Sequence, residues 1–174
     1  MAEDQKKEEN PKKAEAKSAA AAQGFKPLKE FGTVALTDSS EVRFYVDEYK
    51  GYPYASIRTF IKRDTYTGPT KSGITLNVNL LEQMLQKLEK LPAQSDATED
   101  AEICRLQKKA GLELVVRITI YRDTTGIDFR EWVDDGVYKG WSKRGVRISY
   151  SELSNICKHL KEMLAFLKTK QKSS

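Results

Sequence analysis

The sequence predicts an α+β fold in which two ββββα repeats pack as an intramolecular pseudo-dimer. Three observations predict it. Within the stretch Gly126–Ile148, GIDFREWVDDGVYKGWSKRGVRI, the residues from Ile127 onward align without a gap on Ala55–Leu76, ASIRTFIKRDTYTGPTKSGITL, at a shift of 72 residues. The alignment carries nine identities in 51 pairs, among them Arg58/Arg130, Tyr66/Tyr138, Lys71/Lys143 and Gly73/Gly145. A period this long is no solenoid unit, so it marks a small domain written twice. Within each copy apolar and polar residues alternate, the period of strands that bury one face. Each copy then closes on a stripe of leucines at helical spacing.

Residues 1–24 hold five lysines, five acids and almost no apolar anchor, the composition of a disordered charged tail. Repeat one spans residues 25–91. Phe31–Leu36 is its first strand, and Thr37-Asp38-Ser39-Ser40 is a turn signal. Val42–Tyr49 alternates, with Val42, Phe44 and Val46 on one face and Arg43, Tyr45, Asp47 and Tyr49 on the other. Lys50-Gly51-Tyr52-Pro53 turns the chain into Tyr54–Lys62, which sets Ala55, Ile57 and Ile61 inward against Arg58, Phe60 and Lys62. After a polar loop over Arg63–Pro69, Lys71–Leu76 forms the fourth strand. Leu81, Met84, Leu85, Leu88 and Leu91 mark the helix that Pro92 ends.

Residues 92–101 read as a linker, residues 102–168 as repeat two and residues 169–174 as a polar C-terminal tail. Glu102–Lys109 matches the first strand by offset, yet its composition also suits a helical turn. Glu113–Tyr121, Gly126–Val133 and Gly145–Ile148 alternate as strands, with Ile127, Phe129, Val133, Val146 and Ile148 inward. Ser149 and Glu152 form a capping box ahead of the helix that carries Leu153, Ile156, Leu160, Met163, Leu164 and Leu167. A single ββββα unit of roughly 60 residues is marginal alone, and pairing two buries both helices.

Bulk properties narrow the function classes. A hydrophobic content of 39% supplies a core, and no apolar run approaches the roughly 20 residues that span a bilayer. The N-terminus has no secretory apolar region, and its acids argue against an organellar transit peptide, so an intracellular setting is expected. Two cysteines without metal-ligand spacing fit that reducing compartment. Of the net charge of +5, the tail contributes none, whereas residues 113–174 hold twelve basic and eight acidic residues. The excess on the folded repeats suits a polyanionic partner.

The outward strand faces carry the candidate chemistry. Repeat one collects Arg43, Tyr45, Tyr49, Arg58, Phe60, Lys62 and Lys71, and repeat two collects Arg117, Tyr121, Arg130, Trp132, Lys143 and Arg147. Unpaired bases stack on aromatic rings while the cations between them neutralise phosphates, and a duplex hides its base faces. The pattern therefore suits single-stranded DNA or RNA. It is equally the pattern of cross-strand aromatic pairs with arginines bound to Asp47, Asp128 or Glu131.

Other constellations carry less. His159, the sole histidine, aligns with Lys87 on an exposed helix position, which removes histidine triads and most metal sites. Asp134-Asp135 read as a turn, because nothing beside them would separate their pKa values. Ser142 and Ser151 have no general base, and no glycine-rich phosphate loop joins a strand to a helix. Gly73 and Gly145 sit inside strands, where a missing side chain marks a bulge or close backbone approach. No catalytic centre, cofactor or metal site is expected.

With these residues laid out, both repeats resemble the C-terminal domain of the positive cofactor four family of transcriptional coactivators. The resemblance rests on VDEYKG (Val46–Gly51), SIRTF (Ser56–Phe60) and PTKSGITLN (Pro69–Asn77), then on IDFREW (Ile127–Trp132) and SKRGVRIS (Ser142–Ser149). RFYVDE (Arg43–Glu48) also resembles the purine-rich-element-binding proteins, which share this Whirly-like architecture. The resemblance implies a non-enzymatic protein that binds single-stranded DNA or RNA in transcription, replication or repair. It places the strand aromatic and its basic neighbour on Tyr49 and Lys50, and on Tyr121 and Arg122. The mid-strand arginine falls on Arg58 and Arg130, and the basic pair before glycine on Lys71 and on Lys143-Arg144. Ser72 halves that pair in repeat one, so repeat two is expected to bind more strongly. Transcription or replication proteins and further self-association are the other implied partners, in the nucleus of a eukaryote or the cytoplasm and nucleoid of a bacterium. The alternative is a protein-interaction or scaffold module built on the same fold.

Overall fold

The computed structural model describes residues 25–172, so the expected tail over residues 1–24 lies outside the described residues. Strands β1 (Lys29–Thr37), β2 (Ser40–Tyr49), β3 (Tyr52–Lys62) and β4 (Thr67–Leu76) form an antiparallel sheet in sequence order, followed by helix α1 (Val78–Glu89). Strands β5 (Ala101–Lys109), β6 (Leu112–Tyr121) and β7 (Thr124–Asp134) begin the second sheet. β8 (Lys139–Trp141) and β9 (Val146–Ser149) both pair with β7, and helix α2 (Leu153–Lys172) follows. The fold is thus α+β with two ββββα units. β1, β2 and β3 have the bounds of β5, β6 and β7 less 72 residues, and β4 corresponds to β8 and β9 together.

Local chemistry explains the elements. Lys50 and Gly51 have φ of 52° and 83°, and Arg122 and Asp123 have 49° and 62°. Two successive left-handed residues make the tight hairpin turn whose twist matches that of the strands. The Asn77 side chain accepts from the Leu80 N–H at 2.9 Å and so caps α1.

Several expectations change at element ends. Glu102–Lys109 is strand throughout, because Cys104 and Leu106 alternate into the core opposite β6. β4 starts at Thr67, inside the expected loop, as a register shift between Arg58 and Phe60 lets Thr67–Pro69 pair with β3. Trp141 lies on β8, a short strand missing from the sequence reading. The capping box does not close. Ser149 accepts from the Ser151 N–H, while Glu152 accepts instead from the Asn155 amide. α2 also continues to Lys172, four residues into the expected tail. Ile61 and Val133, expected inward, end half-buried at strand termini.

One core serves both units. Val42, Phe44, Ile57 and Ile74 from the first sheet join Leu114, Ile127, Phe129 and Ile148 from the second, with the stripes of both helices, in a single buried cluster. The helices cross between units: α2 packs on β1, β2 and β3 of the first sheet, and α1 packs on β5 of the second sheet as well as on β3 and β4 of its own. The placement of α2 brings His159 onto Gly32, with its ring 5.1 Å from that of Phe44. His159 is therefore half-buried rather than an exposed helix residue, because glycine on β1 leaves room for its ring. Along the seam between units, the Gly73 N–H donates to the Arg144 carbonyl at 3.0 Å. Lys108 Nζ reaches both the Thr75 carbonyl and the Glu131 carboxylate, at 2.9 and 2.7 Å.

Candidate nucleic-acid interface

The register of β6, β7, β8 and β9 sets which side chains share the outward face of the second sheet. Trp132 stands opposite Trp141, and Asp128 stands between Arg117 and Arg147. Trp132 and Trp141 meet edge to face with ring centres 4.8 Å apart, and the Arg117 guanidinium lies 4.1 Å from the Trp141 ring centre. Such contacts suit the ring quadrupole, which is negative on its face and positive at its edge. Asp128 is buried at 3% exposure and holds Arg117 at 3.2 Å and Arg130 at 3.3 Å. One buried carboxylate against two guanidiniums keeps that cluster cationic.

Two of these arginines also brace the backbone. Arg130 Nη1 donates to the Ser142 carbonyl at 2.9 Å, and Arg147 donates to Thr119 Oγ1 at 2.8 Å and to the Thr119 and Thr124 carbonyls. Both lie over glycine: a Cβ on Gly145 would meet the Arg130 guanidinium at 2.5 Å, and one on Gly126 would meet that of Arg147 at 2.6 Å. Arg117 and Arg130 stay about a quarter exposed or less and Arg147 is half-buried, all held in place by these bonds. Tyr121 ends the face at the hairpin tip, 59% exposed, with Arg122 5.1 Å from its ring centre. Thr124, its partner in register, is eight residues from Trp132, about 26 Å along an extended strand. Aromatic rings thus stand at both ends of a row of fixed arginines.

The first sheet differs. Arg58 repeats the bracing role, donating to the Thr70 carbonyl at 3.0 Å. Arg43, Tyr45 and Phe60, expected on a presented face, are buried. Arg43 is tied to Glu41 at 2.7 Å and Glu30 at 3.2 Å, with its guanidinium 4.3 Å from the Phe60 ring centre. Phe25, from the segment before β1, covers Tyr45 and Phe60. In place of the Arg117–Asp128 pair this sheet has Tyr45 and Ser56, and the Ser56 hydroxyl is buried without a partner. Burial raises the pKa of the neighbouring Tyr54 phenol, as does the charge of Asp47.

The remaining expected residues are exposed and form the rim. Tyr49 and Lys50 repeat the hairpin-tip pair, with Lys50 5.4 Å from the Tyr49 ring centre. Lys62, Lys71, Lys143 and Arg144 are exposed, and among the described residues no carboxylate pairs with them. Lys71 and Lys143-Arg144 flank the seam, which the Gly73–Arg144 backbone bond closes. Asp135 accepts from the Val137 and Tyr138 N–H groups, which hold its carboxyl below the usual range and make it a turn residue. Among the described residues no cluster of His, Cys, Asp or Glu could hold a metal ion, and no helix is long and apolar enough to cross a membrane.

Two participants escaped the sequence reading. Trp141 corresponds to Pro69 in the other repeat, so the offset gave it no aromatic counterpart. Phe25 precedes every alternating run, and only the lone aromatic after the lysine-rich tail could have signalled it.

Residues 36–87 match the family described as Transcriptional Coactivator p15 (PC4). Among solved structures, the crystal structure of WHY3 from Arabidopsis thaliana is similar at 9% identity, covering 84% of this chain and 92% of its own, with a TM-score of 0.45. WHY1 from Arabidopsis thaliana follows at 10% identity, 82% and 88% coverage and a TM-score of 0.44. The plant transcriptional regulator PBF-2 is similar at 7% identity, 85% and 87% coverage and a TM-score of 0.43. No curated protein matches the chain in sequence.

Proposed function

We propose that this protein binds single-stranded DNA or RNA on the outward sheet faces, chiefly that of the second sheet, and serves transcription, replication or repair without catalysing a reaction. The observation that carries the reading is the row from the Trp132–Trp141 pair through Arg130, Arg117 and Arg147 to Tyr121. The match of residues 36–87 to a family of transcriptional coactivators agrees with it.

The mechanism is stacking combined with charge neutralisation. Bases stack on the tryptophans and on the hairpin-tip tyrosines, each contributing about 1–3 kcal/mol. Arg117, Arg130 and Arg147 are already immobilised by Asp128 and by backbone carbonyls, so little side-chain entropy is lost when a phosphate approaches. Lys71, Lys143 and Arg144 supply mobile charge where the two units join. Strand backbones offer few groups to base edges, so the binding reads little sequence. The protein acts inside the cell, in the nucleus of a eukaryote or the nucleoid of a bacterium, alongside transcription or replication proteins.

Fluorescence anisotropy with labelled oligo-dT, oligo-U and a duplex of equal length, at two salt concentrations, tests the reading. Salt-sensitive binding that prefers the single strands is expected. Failure to bind either single strand would refute it and leave the sheet faces to a protein partner.

A further inference from the structure

The chain itself covers the aromatic face of the first sheet. Phe25 stands 4.9 Å from Tyr45 at 85° and 4.9 Å from Phe60 at 70°, and Tyr45 meets Phe60 at 5.9 Å and 88°. The three rings form a box of edge-to-face contacts, with the Arg43 guanidinium against Phe60. Beneath it Tyr45 and Phe60 fall to 4% and 3% exposure, although both point away from the shared core. Phe25 is only half-buried, residues 25–28 belong to no strand or helix, and Lys26 and Leu28 are exposed. A ring on such a segment is held far less firmly than the sheet that it covers.

The second repeat fills the same place differently. Trp132, the counterpart of Phe60, takes its edge-to-face partner from Trp141 on β8, inside the sheet. At the offset from Phe25 stands Ala97, which has no ring. An aromatic that repeat two builds into its sheet is therefore supplied in repeat one by a strap outside the sheet.

We propose that Tyr45, Phe60 and Arg43 form a slot for one unpaired nucleobase, and that Phe25 occupies the slot until a single strand displaces it. This rests on the single-strand reading above. A base offers the same kind of flat π face as phenylalanine, so it can replace that ring against Tyr45 and Phe60. Arg43, already over Phe60, is placed for a cation–π contact with the incoming base. While the strap is closed only a fraction of molecules can bind there, and the apparent affinity falls by that fraction. The slot thus adds to binding on the second sheet only when Phe25 leaves.

The test is anisotropy with labelled oligo-dT on full-length wild type, Phe25→Ala and Phe25→Leu, at two salt concentrations, with thermal melts to verify folding. Both variants should bind roughly tenfold more tightly, within the range one stacked base supplies. The factor should be equal at both salts, because neither substitution alters a charge. Adding Phe60→Leu to Phe25→Ala should erase the gain. The leucine variant keeps an apolar cover without a ring, which guards against collapse at the alanine. Unchanged or weaker binding by both folded variants, with a wild type that binds, overturns the slot and leaves the single-strand reading standing. No binding by any of the three proteins overturns both.

Discussion

Arg130 donates to the carbonyl of Ser142 at 2.9 Å, and 72 residues earlier Arg58 makes the same bond to Thr70 at 3.0 Å. The identity of these arginines therefore answers to a shared folding requirement, the fastening of the chain beside the third strand, at Thr70 within β4 and at Ser142 between β8 and β9. Arg130→Ala should cost about 2–3 kcal/mol, because it removes a charged hydrogen bond and leaves the buried Asp128 with one partner fewer. Urea denaturation measures it. Weaker oligonucleotide binding by this variant is interpretable only after its stability has been measured.

The glycines facing the two arginines should not behave alike. A Cβ on Gly145 meets only the end of the Arg130 side chain, whereas one on Gly73 meets the Ile57 carbonyl at 2.7 Å and the Arg58 Cα at 2.9 Å. Backbone cannot step aside, so Gly73→Ala should destabilise more than Gly145→Ala. In an Arg130→Ala background Gly145→Ala should add almost nothing, a coupling that a double-mutant cycle reads directly.

Gly32 on β1 lies directly against His159 on α2, with an added Cβ 2.2 Å from the imidazole ring. Gly32→Ala should destabilise by about 1–3 kcal/mol through overpacking. His159→Ala should also destabilise, yet the pair together should cost less than the sum, because the new methyl group enters space that the ring vacates. Thermal melts of the three variants decide it.

The same ring predicts a pH dependence. Burial holds His159 below the usual histidine range, with Lys158 acting the same way and Glu162 and Glu152 opposing, and its Nδ1 is buried without a partner. The unfolded chain, titrating near pH 6.5, then binds more protons than the folded protein in mildly acidic solution. Stability from this group is fully present above that value and declines as pH falls below it toward the folded value. Urea midpoints at pH 7.5, 6.5 and 5.5 should show the decline, and His159→Gln should remove about one proton's share of it.

The fold was legible because the two halves corroborate each other, although at Glu102–Lys109 the offset favoured a strand while the composition left a helical turn open, and pairing with β6 decides for the strand. The inward faces followed from alternation, which long-range packing seldom overrides when valine, isoleucine and phenylalanine supply every second residue. The outward face was harder to read. Alternation assigns Tyr45 and Phe60 to it but carries no information about Phe25, which covers them from outside the pattern. It also cannot show that Arg43 meets Glu30 across strands, or that Arg147 fills the space over Gly126. His159 was misplaced for a similar reason, since α2 brings it onto Gly32, a contact absent from the periodicity of either element.

Rings and rim cations should separate experimentally on the second sheet. Trp132→Leu and Trp141→Leu remove stacking surface without changing charge, so each should lower single-strand affinity by the roughly 1–3 kcal/mol of a lost base contact. The slope of log affinity against log salt should stay as it was. Lys143→Ala with Arg144→Ala removes two exposed cations beside the seam, neither in an ion pair among the described residues, so the fold should melt as before. Each phosphate contact on a single strand contributes about 0.7 to that slope, so the double variant should flatten it by about 1.4. Anisotropy titrations over a salt series read both outcomes. A tryptophan variant that changed the slope, or a cation variant that left it intact, would mean that the strand follows another path across the protein.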